Sequence, residues 1–371
     1  MRHFESNYAN YPMPATDRLD IAVIIVSFRS AALTIEALRS IAAERSCPTL
    51  SIRAVVVDNA SGDLPAIVDA VNANGWAWVT PVESPVNGGF AAGNNLGIKR
   101  AYASGRPDFV YLLNPDAQVR PGAIEHLARF LLEHPHVGIA GSSFENPDGS
   151  EWPYAFRFPT LCSEIDAGVE LGLLTRLMQR WVVARIMKPV SQQVDWICGA
   201  SMMIRLAALD ATAGLDENYF LYYEETDLCR RALAAGWPTW YVPESRVMHI
   251  MGQSTNVTGL SGKPKRLPAY WFESRRRYYQ RAYGTGHAIV IDLLAILANM
   301  VGLAKRLLSG RGSSSIPHYI RDLISHSVIW NRNRQCSPFR SCLRNGPIYP
   351  SAPMQNRGTA DRINEATDTD G

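Results

Sequence analysis

The first third of the chain alternates short apolar, β-branched runs with stretches of helical period, and that alternation narrows the accessible folds more than any other feature. Residues 21–27 (IAVIIVS) precede a helical pattern over 31–43, and residues 53–58 (RAVVVD) precede one over 64–74. A weaker strand pattern follows at 76–82, and residues 109–114 (FVYLLN) form another buried-strand run. Unbroken apolar runs of this length suit strands covered on both faces, and strand–helix alternation joins such strands in parallel. The expected fold class is therefore α/β, with a mostly parallel central sheet flanked by helices. Ligands gather at the carboxyl ends of the strands in such sheets, so function is to be sought just after each run.

The composition is that of a globular protein: 371 residues, 47% hydrophobic, 37 basic against 34 acidic side chains, net +3. That balance is too even for a dedicated nucleic-acid binder. It hides an asymmetry, because residues 263–344 carry 15 Lys or Arg against only Glu273, Asp292 and Asp322. The six cysteines (Cys47, Cys162, Cys198, Cys229, Cys336, Cys342) include no C-x-x-C pair, which argues against structural zinc and a disulfide framework. Residues 1–20 lack the apolar run of a secretory signal, and a cytoplasmic location is expected.

Further along, the pattern predicts a helix over 121–133, a short strand at 137–141, an irregular aromatic and Pro-rich connection over 145–159, and a long apolar helix over 165–187. Regular structure resumes at 194–205, followed by an acidic helix over 224–235 and a strand at 239–242. The division expected is a flexible arm (1–20), an α/β domain (21–255), a basic and apolar helical extension (256–344) and a disordered polar tail (345–371). Residues 288–304 (AIVIDLLAILANMVGLA) contain Asp292 and Asn299 and fall short of the about 20 apolar residues of a span. Asp292, Asn299 and Arg306, seven apart, share one stripe. An in-plane amphipathic helix is expected, with Arg275, Arg276, Arg277, Arg281, Lys305 and Arg306 meeting an anionic membrane surface; a helix buried on the core is the alternative.

Several strand ends carry chemistry. Asp58-Asn59-Ala60-Ser61-Gly62 follows the second strand; Asn and Asp there also suit plain capping. Asn87-Gly88-Gly89-Phe90-Ala91-Ala92-Gly93-Asn94-Asn95 is a glycine-rich turn opening a helix, where backbone can approach a phosphate or ribose, yet it matches neither a P-loop nor a dinucleotide fingerprint. Asn114-Pro115-Asp116 presents a carboxylate after a buried strand, an oxygen ligand suited to Mg²⁺ or Mn²⁺ held mainly by a diphosphate, and equally good turn chemistry. Glu224, Glu225 and Asp227 crowd a helix start behind an aromatic run, where burial and mutual repulsion can raise a carboxylate to general-base duty. His249 stands alone in the sequence.

Taken together, IIVSFRS, VVVDNAS, NGGFAAGNN, LLNPDA, GLDENYFLYYEETDLCRRA and VMHIMGQST resemble, in order and spacing over about residues 21–254, the family 2 inverting glycosyltransferases of the GT-A fold. The likeness is greatest to the rhamnosyltransferase-like branch that builds bacterial surface polysaccharides. It implies that Ser27, Phe28 and Asp58 hold the nucleotide base and that Asn87 and Asn94 line the nucleotide pocket. Asp116 matches the last acid of the family's D-x-D, with Asn114 in place of the first, and His249 matches a histidine that completes the metal site in some members. Glu225 falls where the family has its catalytic Asp, and Asp227 is the alternative base.

The implied reaction is one in-line displacement with inversion, from a nucleotide-diphospho-sugar donor to a saccharide or polyprenyl-diphosphate-linked acceptor, with Mg²⁺ or Mn²⁺ as cofactor. The place implied is the cytoplasmic face of the inner membrane, bound peripherally. Trp152, Tyr154, Trp196 and Trp271 are candidate sugar-stacking or core aromatics. The rival readings are a nucleotidyltransferase, an inactive nucleotide-sugar-binding or scaffold protein of the same fold, and a polyelectrolyte binder acting through the basic section.

Overall fold

A computed structural model of the chain describes residues 18–250, 264–309 and 316–331. The expected tail at 345–371 and nearly all of the expected N-terminal arm lie outside the described residues. The chain begins β1 (Leu19–Ser27), α1 (Ala31–Glu44), β2 (Leu50–Asp58), α2 (Leu64–Ala73), β3 (Val79–Glu83), α3 (Gly89–Ala103) and β4 (Phe109–Leu113). It continues with β5 (Ala117–Val119), α4 (Ala123–Glu133), β6 (Ile139–Glu145), β7 (Glu151–Trp152), β8 (Tyr154–Phe156), α5 (Leu161–Val169), α6 (Gly172–Leu177), β9 (Ala184–Ile186) and β10 (Gln192–Val194). Then come β11 (Ser201–Arg205), α7 (Leu206–Thr212), α8 (Glu224–Ala234), β12 (Thr239–His249), α9 (Ala269–Leu308), α10 (Tyr319–His326) and α11 (Val328–Asn331).

The main sheet runs β10-β12-β6-β11-β4-β1-β2-β3, with β5 on β12 and β7 on β6. The alternating first third forms its parallel half, β3-β2-β1-β4, as expected of strands joined by helical crossovers. β11 then enters antiparallel between β4 and β6, and β12 lies parallel to β6. Both faces are buried, one by α1, α2 and α4 and the other by α3, α7 and α8, which explains the absence of polar alternation in IAVIIVS and FVYLL.

Three expectations from the sequence are corrected. The irregular connection over 145–159 contains two short strands, because β7 extends β6 as a hairpin and β8 pairs with β9. The long helix over 165–187 is absent. A Thr160/Ser163 capping box starts α5 at Leu161, Glu170 at φ 52 ends it, and the remainder divides into α6 and β9. The apolar run misled because its hydrophobic residues serve separate short elements.

The third correction concerns the extension. α9 is not straight: Gly284 (φ 81, ψ 160) breaks it, and Arg275 Nη1 reaches Asp292 Oδ1 at 2.5 Å across 17 residues that a straight helix would spread over about 25 Å. The two halves therefore fold back on each other. Asp292, Asn299 and Arg306 do share a stripe, but it faces the protein. Asp292 also accepts from the Val328 amide (2.7 Å), and Arg306 pairs with Glu170 (2.7 Å) on α5. The basic residues expected to meet lipid are largely paired internally: Arg275 with Glu164 and Asp292, and Arg277 and Arg281 with Asp216, while Lys305 donates to the carbonyls of Val169 and Glu170. What faces outward is apolar, namely Val290, Leu293, Leu297, Met300, Val301, Leu307 and Leu308.

Candidate active site

The carboxyl ends of β1, β2 and β4 open beside one another, and local hydrogen bonds define their loops. Ser27, fully buried, bonds Ser30 and Thr34 through its hydroxyl, and the Asp63 carboxylate accepts from Ser27 Oγ and the Ser30 amide (2.7 Å). Asp58 accepts from the Ser61 amide and hydroxyl, Gly62 and Leu64. Four donors fill a carboxylate's lone-pair positions, so a base contact by Asp58 requires giving up a loop bond. Phe28, half-buried with the Arg29 guanidinium 5.2 Å from its ring centroid, is differently placed from these saturated groups.

The glycine-rich turn is tied to this wall by Asn59, a residue to which sequence reasoning assigned no role beyond capping. Asn59 donates to Asn87 Oδ1 (2.9 Å) and the Gly89 carbonyl (3.0 Å) and accepts from the Gly88 amide. Asn94 turns inward and donates to the Phe90 carbonyl. Gly89 sits at φ 81, and a β-carbon there would meet the Phe220 carbonyl oxygen at 1.9 Å. The close approach lets the Phe90 amide donate to that carbonyl (2.9 Å), joining the turn to the acidic segment.

The Asp116–His249 pair is produced by a strand register. β5 lies antiparallel to β12 with Ala117 opposite His249, and the Ile250 amide donates to the Asp116 carbonyl. β12 thus continues past the expected 239–242 and carries His249 as its last residue. His249 Nε2 stands 3.3 Å from Asp116 Oδ1 without an aligned hydrogen bond, and both that oxygen and His249 Nδ1 are buried without partners. The unpartnered Asp116 Oδ1, with the imidazole nitrogen His249 Nε2 3.3 Å away, fits a divalent cation that takes its other ligands from a diphosphate. Among the described residues, no group of three or more His, Cys, Asp or Glu is placed to hold a metal. Asn114 is half-buried, and its backbone N–H donates to the Ala200 carbonyl.

Glu224 and Glu225 open α8 after Tyr222 and Tyr223, two consecutive bulky residues at positive φ (71 and 68). Such strain persists only where surroundings impose it. Here the Ser274 hydroxyl donates to the Leu221 carbonyl (3.0 Å), and Tyr223 packs on Trp271 and Tyr278. One oxygen of each glutamate is buried without a partner. Burial pushes Glu225 up to about 6, opposed by a bond from the Gly199 amide, while burial and the neighbouring Glu225 raise Glu224 well above the carboxylate range. Glu225, Asp116 and Glu224 all act on Cys198, whose thiol burial raises to about 12, so the loop 195–200 brings the two halves of the site together.

Asp227 has a different environment. It pairs with Arg231 (2.6 Å) and Arg281 (3.4 Å) and accepts from Tyr219 Oη (3.4 Å), so its oxygens are engaged within the fold. Glu225 has the free oxygen.

A 153-residue stretch is 35% identical to N-acetylglucosaminyl-diphospho-decaprenol L-rhamnosyltransferase of Mycobacterium tuberculosis, covering 40% of this chain and 48% of that protein. Another is 26% identical over 166 residues to Rhamnosyltransferase WbbL of Escherichia coli, covering 43% and 60% respectively. The chain spans about half the length of the first of these relatives. The solved structure of GalNAc-T7 with UDP, GalNAc and Mn²⁺ superposes with a TM-score of 0.50 at 13% identity, over 85% of this chain and 56% of that one, a likeness of fold alone. Residues 18–279, most of the chain, match the family described as Glycosyltransferase like family 2. The parallel half-sheet, the Asn-Pro-Asp turn after β4 and that match together place the chain in this glycosyltransferase family, with a GT-A fold.

Proposed function

We propose that this chain is an inverting hexosyltransferase that moves rhamnose or a similar hexose from a nucleotide-diphospho donor to a saccharide carried on polyprenyl diphosphate, in cell-surface polysaccharide synthesis. The observation that carries the reading is Glu225, a buried carboxylate with an unpartnered oxygen at the start of α8, sharing the surroundings of Cys198 with Asp116. The name of the Mycobacterium tuberculosis relative, which contains a lipid-linked acceptor, supports the choice of substrates.

On this reading Glu225 accepts the proton of the acceptor hydroxyl as that oxygen attacks the anomeric carbon from the face opposite the diphosphate, and the configuration inverts. The oxygen must be ionised to do so, which its raised titration allows near neutral pH. Ser27, Asp58, Asn87 and Asn94 hold the loops around the nucleotide, while half-buried Phe28 and Asn114 supply contact. Asp116 and His249 would hold Mg²⁺ or Mn²⁺. That ion, when bound, offsets charge on the departing diphosphate.

Release of nucleoside diphosphate from a panel of dTDP-, UDP- and GDP-sugars tests the reading. One donor class is expected to turn over, with the rate falling at least tenfold in Asp116→Ala and on chelation. Retained nucleotide binding with no turnover of any donor, even with lipid-linked acceptor, would favour the inactive binder instead.

The outward apolar stripe of α9 supports peripheral attachment to the membrane that carries the acceptor, on its cytoplasmic side. Its spacing of three and four residues is that of one helix face, and its residues are 46–89% exposed over Val290 to Leu308. A span is disfavoured because Asp292 lies mid-segment in a buried ion pair. Because the flanking arginines are occupied, attachment through this helix is expected to depend more on apolar area than on lipid charge. Leu293→Glu combined with Leu297→Glu, both more than half exposed and outside the buried clusters, should move the protein from the liposome pellet to the supernatant while leaving its melting temperature unchanged. Undiminished co-sedimentation of the double variant would refute the role of this face.

A further inference from the structure

Four half-buried rings, Trp152, Tyr154, Phe156 and Trp196, form an array between the His249 side of the reaction centre and the loop of Cys198 and Gly199. Phe144, itself buried, has its ring 5.5 Å from that of His249 and 5.9 Å from Trp152. Trp152 lies 4.9 Å from Tyr154 and 6.5 Å from Phe156, and Trp196 stacks on Phe156 at 4.2 Å and 18°. Trp196 then continues into the loop of Cys198 and Gly199, whose amide bonds Glu225, so the ring array touches both halves of the site. Trp271 is not part of it, packing instead on Tyr223, Phe272 and Tyr319.

The β8–β9 ribbon decides which way the rings face. Ala155 is fully buried in the core, so the alternation of a strand turns Tyr154 and Phe156 to the opposite face. Ile186, opposite Tyr154, shares that face and is 73% exposed. Around the ribbon, residues 171–194 hold Arg176, Arg180, Arg185 and Lys188 and no acid, while exposing Leu177 and Val190 as well. Arg185, opposite Ala155, lies on the other face, so the exposed cations next to the ribbon are Arg176, Arg180 and Lys188.

We propose that Trp152, Tyr154, Phe156 and Trp196 form the binding platform for the acceptor saccharide, and that the acid-free segment beyond β8–β9 receives the acceptor's diphosphate and the start of its lipid. This rests on the transferase reading for the identity of the bound sugar as acceptor. Aromatic faces suit the apolar side of a pyranose, and guanidinium and ammonium groups suit phosphate oxygens. Exposed Leu177, Ile186 and Val190 match the apolar chain.

Calorimetric binding without donor tests the proposal, using methyl N-acetylglucosaminide and farnesyl-diphospho-N-acetylglucosamine as probes. Wild type is expected to bind the farnesyl probe at least tenfold more tightly than the methyl glycoside. Tyr154→Ala and Trp196→Ala should weaken both probes about tenfold. Arg180→Glu with Lys188→Glu, both on exposed positions, should weaken only the farnesyl probe and so erase the preference. Unchanged nucleoside diphosphate binding in every variant controls for folding. Wild-type affinity in the aromatic variants, an undiminished preference in the charge variant, or no binding of either probe to wild type would each overturn the platform. Nucleoside diphosphate release from the donor panel is read separately: probe binding without release removes the transferase reading alone, and release without probe binding removes the platform alone.

Discussion

Glu225→Gln is expected to lower kcat by about 10²–10⁴-fold, the usual share of a general base, while leaving donor binding within about twofold. The substitution keeps shape and removes the proton acceptor. Gln can still accept from the Gly199 amide through its carbonyl, so the loop that carries Cys198 keeps its anchor. The pH profile supplies an independent check. Glu225 titrates near 6 because burial disfavours its charge, so the ionised base is present above that pH and lost below it. The kcat of wild type should therefore fall tenfold per pH unit below about 6. A profile flat down to pH 4.5 would show that another group takes the proton. Asp227→Asn makes the contrasting control, since its carboxylate balances Arg231 and Arg281. It should lower the melting temperature and affect kcat only as far as folding is affected.

The second large effect is on stability. Arg275→Ala or Asp292→Ala should each destabilise the protein by about 3–5 kcal/mol, because either leaves a buried charge uncompensated. Both side chains are at most 2% exposed, and Arg275 also binds Glu164 while Asp292 accepts from the Val328 amide. These contacts join the two halves of α9 to α5 and α11. Denaturant unfolding measures the loss. A joint Arg275→Met, Asp292→Leu replacement should recover part of it, since an apolar pair avoids the desolvation cost of the two charges while leaving Glu164 and the Val328 amide without these partners. Similar losses in the single and joint variants would mean that packing, not charge pairing, holds the helical hairpin together. The single variants should also lower kcat, because the first half of α9 holds the strained Tyr222–Tyr223 turn through Ser274 and Trp271.

Much of this was legible in the residues. The β-branched runs predicted β1, β2 and β4 closely, since a strand buried on both faces needs an unbroken apolar run, and the glycine-rich and acidic segments fell at the starts of α3 and α8. Poorly legible was the stretch from 145 to 194, whose strands β7, β8 and β9 are two or three residues long and exist only through pairing, β7 with the neighbouring β6 and β8 with β9 about 30 residues away. The role of Asn59 was invisible for the same reason, as its amide bridges loops about 30 residues apart.

The α9 segment separates the two sources of information most clearly. Its sequence established an apolar run interrupted by one polar stripe, and with it the fact that opposite faces have opposite chemistry. It did not establish which face meets the protein. Amphipathic period is a property of neighbouring residues, whereas the direction of a stripe depends on partners elsewhere. Glu164, Glu170 and the folded-back Arg275 turn the polar stripe inward here. The same holds at the active site, where residue order determined the acids that were available and their place at strand ends. Only the tertiary structure engages Asp227 with arginines and leaves Glu225 buried with an unpartnered oxygen, which is the ground for proposing Glu225 as the base.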